Sequence, residues 1–96
     1  MPVVRFSGRA LDDLERIFDF LTEHDPAVAS RAGDAIVDAT SVLQQHPMIG
    51  RAVQGNLREL VISQGATGYV ALYRFVQTAN RIDVLAIRHQ REAGFL

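Results

Sequence analysis

Two runs of β-forming residues, close together near the end of the chain, constrain the fold more than any other feature. Residues 69–76, Tyr-Val-Ala-Leu-Tyr-Arg-Phe-Val, and residues 81–88, Arg-Ile-Asp-Val-Leu-Ala-Ile-Arg, are rich in β-branched and aromatic side chains. Only residues 77–80, Gln-Thr-Ala-Asn, separate them. That is too short for a crossover, so the two strands pair antiparallel. A loop of this length sets Val76 beside Arg81, Arg74 beside Asp83, Leu72 beside Leu85 and Val70 beside Ile87. The other face then carries Tyr69, Ala71, Tyr73 and Phe75 with Ile82, Val84 and Ala86. Both faces are substantially apolar. One needs a layer of helices, and the other a partner, a returning tail or a second copy. The hairpin runs into Arg88-His-Gln-Arg-Glu92, which sets cationic groups at a sheet edge within reach of a partner or a phosphate.

The upstream sequence supplies the helical layer. Residues 3–6, Val-Val-Arg-Phe, read as a first strand, and Ser7 is a candidate N-cap. Leu11, Leu14, Ile17, Phe18 and Leu21 recur at helical spacing. Asp12, Asp13 and Glu15 lie near the start of that helix, where the dipole favours anions. The first helix is predicted to end near His24. Asp25-Pro26 restarts the chain as an N-cap carboxylate followed by proline at the first helical position. Val28, Ala32, Ala35, Ile36, Ala39 and Leu43 form a second stripe, and Pro47 ends the helix. A link of two or three residues makes the helices an antiparallel hairpin. Residues 57–62 read as the second strand and residues 63–68 as a turn. The predicted architecture is α+β, ordered β-α-α-β-β-β, with a helical hairpin on a mainly antiparallel four-stranded sheet.

Ninety-six residues predict one domain, 1–96, and 48% apolar content is that of a globular protein. There is no cysteine, hence no disulfide and no thiolate metal site. His24, His46 and His89 have no metal-ligand spacing, and His24 and His46 fall at predicted helix ends, where capping accounts for them. No segment predicts a signal peptide or a bilayer span, so the expected location is the cytoplasm, with no membrane partner. The net charge of −1 conceals an asymmetry: residues 1–50 carry four arginines against eight acids, and residues 51–96 six arginines against three. There is no lysine. A near-neutral total argues against a free-standing nucleic-acid binder, whereas the basic half suits an acidic protein partner.

The order of elements, together with several short motifs, resembles the RelE/ParE superfamily of bacterial type II toxins. The motifs are Ala10-Leu-Asp-Asp-Leu-Glu-Arg-Ile17, Leu43-Gln-Gln-His-Pro-Met-Ile-Gly-Arg51, Leu57-Arg-Glu-Leu60, Gly68-Tyr-Val-Ala-Leu-Tyr73 and Val84-Leu-Ala-Ile-Arg-His-Gln-Arg91. Each is weak alone; their order and spacing along the chain carry the resemblance. The Pro-x-x-Gly-Arg junction and the strand ending Arg-His-x-Arg look most like the ParE branch. The resemblance implies growth inhibition by binding DNA gyrase, plasmid stabilisation, and neutralisation by a ParD-like antitoxin through which operator DNA is met only indirectly. It implies no cofactor and no metal.

RelE-like members instead cut mRNA on the ribosome. They commonly carry arginine after the Gly-Tyr motif, a basic residue in the tail and a tyrosine near the end. Here those places hold Val70, Gln90 and Phe95 or Leu96. Cleavage through a ribose 2′-OH needs a base, cations for the phosphorane and an acid. Arg58, Arg74, His89 and Arg91 are the groups left for that work, with His89 as the one that could serve as acid or base. For gyrase binding the candidate residues are Arg58, Arg88, His89 and Arg91, with no catalytic residue. A third reading is a homologue that only binds antitoxin and assists operator repression. Arg74 facing Asp83 reads as a cross-strand ion pair, and Tyr69, Tyr73 and Phe75 read as core rather than a base-stacking platform.

Overall fold

The computed structural model describes residues 1–64 and 67–90, apart from the side chains of Ser63, Gln64 and Thr67. Strand β1 (Val3–Phe6) leads into helix α1 (Gly8–His24) and helix α2 (Pro26–Gln45). Then follow β2 (Arg51–Ala52), β3 (Leu57–Gln64), β4 (Thr67–Val76), a single 3₁₀ turn (Gln77–Ala79) and β5 (Arg81–His89). The sheet order is β1-β5-β4-β3-β2. β1 pairs parallel with β5, and every other pairing is antiparallel. The α+β class is as expected. The sheet has five strands rather than four, because two residues, Arg51 and Ala52, fold back on Glu59 and Arg58.

Local chemistry sets the helix limits. The Ser7 hydroxyl accepts from the Ala10 amide at 3.1 Å and caps α1. Asp25 serves both helices: its amide donates to the Leu21 carbonyl at 2.7 Å, and its Oδ1 accepts from Ala27 N at 3.1 Å. One residue therefore makes the link, fewer than predicted. Asp12, Asp13 and Glu15 do not sit in the first turn of α1, which holds no acid. Asp13 has another task. β1 covers the outer edge of β5 only up to Val84. Beyond it, the Ser7 hydroxyl donates to Leu85 O at 2.8 Å and the Asp13 carboxylate accepts from Ile87 N at 2.8 Å. Side chains of the cap and α1 thus satisfy backbone groups where no neighbouring strand does.

Two predicted features of the sheet are corrected. Residues 63, 64, 67 and 68 belong to strands rather than to a turn, since Ser63 pairs with Gly68 and Gln64 with Thr67. The β4–β5 register also shifts at Leu72/Tyr73. Arg74 faces Asp83 and Val76 faces Arg81 as predicted, but Leu72 faces Ala86 and Val70 faces Arg88. Leu85 is the additional residue of a bulge, and beyond it every side chain changes face. Ile87 turns in toward the helices, while Ala86 and Arg88 turn away.

α1 packs over β5 and α2 over β3. The core between helices and sheet contains Ile17, Leu21, Ala32, Ile36, Leu43, Ile62, Tyr69, Ala71, Tyr73, Ile82, Val84 and Ile87. Tyr69 and Tyr73 are core, as predicted. The void between α2 and the sheet measures only about 10 Å³ and is lined by apolar side chains, room for one water at most. A void of that size has no room for a ligand.

Candidate functional site

The turn after α2 is built around Tyr73. This side chain is fully buried, yet its hydroxyl reaches the turn, donating to Pro47 O at 2.9 Å and accepting from Gly50 N at 2.8 Å. Burial raises the Tyr73 pKa, while the Gly50 amide and the charge of Arg58 work the other way. Arg58 lies across from Tyr73 on the helix side of the sheet. Its Nη1 donates to Gly50 O at 2.7 Å and to Met48 O at 3.1 Å. Gly50 is needed here: a Cβ would lie 2.6 Å from Tyr73 Cε1 and 2.8 Å from Glu59 O. The Pro-x-x-Gly-Arg junction is thus a turn gripped from below by one phenol and one guanidinium.

The sheet face away from the helices carries two charged triplets. Glu59 accepts from Arg51 Nη2 at 2.6 Å and lies 3.6 Å from Arg88 Nη2. Asp83 accepts from Arg81 Nε at 2.8 Å and from Arg74 Nε at 3.2 Å. The predicted Arg74–Asp83 pair is present, joined by Arg81. Each triplet has two cations for one anion, so this face is net positive. It is less greasy than the expected register implied, because the bulge brings Arg88 here and takes Ile87 away. Val61 remains 52% exposed, while Val70 and Ala86 are buried.

The hydrogen bond from Arg81, aided by Arg74, holds the Asp83 carboxyl below its ordinary pKa, against the opposing effect of desolvation. The sign follows: the unfolded chain binds this proton more readily, so the stabilisation is present above the ordinary carboxylate range and is lost as pH falls through the depressed value. Asp83→Asn is therefore expected to be less stable than the parent at neutral pH. The gap should narrow in urea unfolding as pH falls below the ordinary carboxylate range. A gap that does not change with pH would show that the carboxylate charge contributes nothing.

The strand exit is not one cluster. Arg88 faces the open side, with its side chain 17% exposed, and Nη1 donates to His89 O at 3.2 Å and Gln90 O at 3.3 Å. His89 faces the helix side, edge-on to the buried Tyr69 ring at 5.6 Å. Burial raises the Tyr69 pKa. Gln90 returns over Gly68, donating its amide to Gly68 O at 2.8 Å, and a Cβ on Gly68 would run into Gln90 Oε1. That obstacle is the end of a flexible side chain, and the nearest backbone atom, Ile62 O, would be at an ordinary 3.6 Å. Arg91 lies outside the described residues, as do Glu92, Phe95 and Leu96.

Among the candidate residues, Arg58 and His89 share the helix side of the sheet. They are four residues apart along β4 and on opposite sides of it, roughly 16 Å between backbones. Arg74 is on the other face. Sequence reasoning missed Arg81, whose alternation with Asp83 along β5 was a usable signal, and also Glu59, Arg51 and Asp13, whose roles no local pattern announces. His24 sits at the end of α1 as predicted, with Nδ1 2.8 Å from Phe20 O and its ring stacked on Phe20. Among the described residues no group of His, Asp and Glu could hold a metal ion, and no helix is long and apolar enough to cross a membrane.

Comparison with known proteins places this geometry. The sequence model described as "ParE toxin of type II toxin-antitoxin system, parDE" matches residues 4–94. Toxin RelE3 of Caulobacter vibrioides is 38% identical over 96% of this chain and 98% of its own length. Toxin RelE1 of the same organism is 35% identical over 93% and 94%. Among solved structures, the chromosomal ParDE system from P. aeruginosa superposes with a TM-score of 0.73 at 24% identity, covering 93% of this chain and 96% of the other. The E. coli RelBE toxin–antitoxin complex gives 0.63 at 13% identity, covering 96% and 100%. At those identities the structures speak for the fold alone. The family match and the relatives' identity over nearly the whole length say more: the chain belongs to the ParE toxin family, within the RelE/ParE superfamily of type II toxin–antitoxin systems.

Proposed function

We propose that this chain inhibits DNA gyrase by binding it and is neutralised by a ParD-like antitoxin. The observation that carries the reading is the dispersal of Arg58, Arg74 and His89, the described residues among the groups available for RNA cleavage. A base, an acid and phosphate-binding cations must converge within hydrogen-bond reach of one reacting centre. Here Arg58 is engaged with Met48 and Gly50 carbonyls, Arg74 with Asp83 on the other face, and His89 is packed edge-on to Tyr69. An inhibitor that binds needs no such convergence. It acts by favouring one conformation of a larger machine through differential contacts. The ParE family description supports the same branch.

A second reading has its own support, since the Caulobacter relatives carry the name RelE. On it the chain would be a ribosome-dependent mRNA interferase, with His89 as acid or base.

The test expresses the chain without antitoxin and assays gyrase supercoiling and cleavage beside mRNA integrity on translating ribosomes. Inhibited supercoiling with intact mRNA is the expected result; codon-dependent cuts with unaffected gyrase would sink it. Alanine at Arg88, His89 and Arg91 is expected to abolish growth inhibition while antitoxin binding persists. Because Arg88 also braces Glu59, His89→Ala alone is the cleaner probe. If gyrase inhibition by a folded His89→Ala variant equals that of the parent, the contact surface does not include this residue.

A further inference from the structure

We propose that Met48 and Ile49, at the tip of the turn after α2, form a pre-organised docking point for an apolar, acid-flanked segment of the antitoxin. The inference rests on the reading of this chain as an antitoxin-bound toxin and adds where the partner sits. Met48 is 57% exposed and Ile49 53% exposed, adjacent in sequence, with Val53 at 42% shortly after. Single exposed apolar residues are ordinary, but neighbouring large ones on a turn cost solvation that the fold does not require. What the fold requires of this turn is backbone. Tyr73 holds Pro47 O and Gly50 N, Arg58 holds Met48 O and Gly50 O, and Ile49 N donates to His46 O at 3.1 Å. None of these bonds uses the Met48 or Ile49 side chain.

The turn is therefore rigid while its apolar side chains point outward. Rigidity lowers the ordering cost of association, the property expected of a binding hot spot. Met48 and Ile49, with Gln45, His46 and Pro47, line an open depression of about 480 Å³, large enough for apolar side chains from a partner. The electrostatics select the occupant. Two residues after Ile49, Arg51 has a side chain 78% exposed, and Arg51 and Arg88 share the single carboxylate of Glu59. No acid lies on the turn itself. A partner segment with an apolar face and carboxylates at its margin fits both features.

The test uses the full chain co-purified with the protein encoded by the adjacent reading frame. Met48 and Met1 are the two methionines of the chain, and Met1 is 77% exposed. Dilute peroxide should oxidise both in the free chain. In the complex Met48 should be protected at least about tenfold; oxidation of Met48 at the free-chain rate would overturn the proposal. Independently, Met48→Gln with Ile49→Gln should leave the melting temperature unchanged and weaken antitoxin binding by about thirtyfold or more. Affinity within about threefold of the parent overturns it, and so does intact antitoxin binding with growth inhibition lost, which gives the turn to the target instead. If the parent chain itself binds no such protein, the functional reading fails, and the docking proposal with it.

Discussion

Gly50→Ala is expected to destabilise the protein by about 2–3 kcal/mol, a fall in melting temperature of roughly 10–20 °C for a domain this size. The added methyl has nowhere to go. It meets the Tyr73 ring edge at 2.6 Å, the Tyr73 hydroxyl at 2.7 Å and the Glu59 carbonyl at 2.8 Å. The first two belong to a fully buried side chain and the third to strand backbone, so none yields cheaply. Tyr73→Phe tests the same joint from the other side. It leaves Pro47 O and Gly50 N without the phenol that served both, at a cost of about 1–3 kcal/mol. The two substitutions share one contact, so the double variant should lose less than the sum. Strict additivity in thermal or urea unfolding would mean that Tyr73 and Gly50 do not act as one unit.

Glu59→Ala is the second large effect, expected to cost about 2 kcal/mol. Glu59 is 12% exposed and is the carboxylate shared by Arg51 and by Arg88, itself only 17% exposed. Most of the loss belongs to the Arg88 arm. The Arg51 arm is solvent-screened and worth little. Removing the anion leaves two guanidiniums near one another on a half-covered sheet face, and Arg88 is expected to reorient with the strand exit. Glu59→Gln should recover part of the packing but not the charge. Its triplet is separate from that of Asp83, so Glu59→Ala and Asp83→Asn should add in urea unfolding. A Glu59→Ala variant as stable as the parent would reduce this triplet to a surface ornament.

The residues explain how much of this could be read beforehand. Ser7, Asp25-Pro26 and Pro47 are local signals whose chemistry acts within a few residues, and the helices they delimit are found where predicted. The loop at residues 77–80 set the near end of the hairpin, so Val76–Arg81 and Arg74–Asp83 hold. The prediction then slipped at Leu85. In the unbroken run Val84-Leu-Ala-Ile87 every residue suits either face, and periodicity cannot place an extra residue among equals. A parity argument was available: without a bulge, Arg88 would share the helix-covered face with Ile82 and Val84.

The candidate site shows the same division. Arginine excess in the second half is a property of the sequence by itself, and so are the motifs whose order and spacing carry the family resemblance, the glycine before Tyr69 and the Pro-x-x-Gly-Arg junction among them. What they do together is tertiary. Gly50 and Tyr73 are twenty-three residues apart, and only the β3–β4 pairing and the return of the chain from α2 bring a phenol under that turn. Asp13 reaches Ile87 N across 74 positions because α1 lies on β5 where β1 has run out. Arg88 and His89, one cluster on paper, are parted because successive residues of a strand face opposite ways and the bulge decides which way each looks. Local propensity and periodicity thus set the elements and their order. Register, face and the pairing of distant charges depend on contacts between elements, which a one-dimensional pattern does not contain.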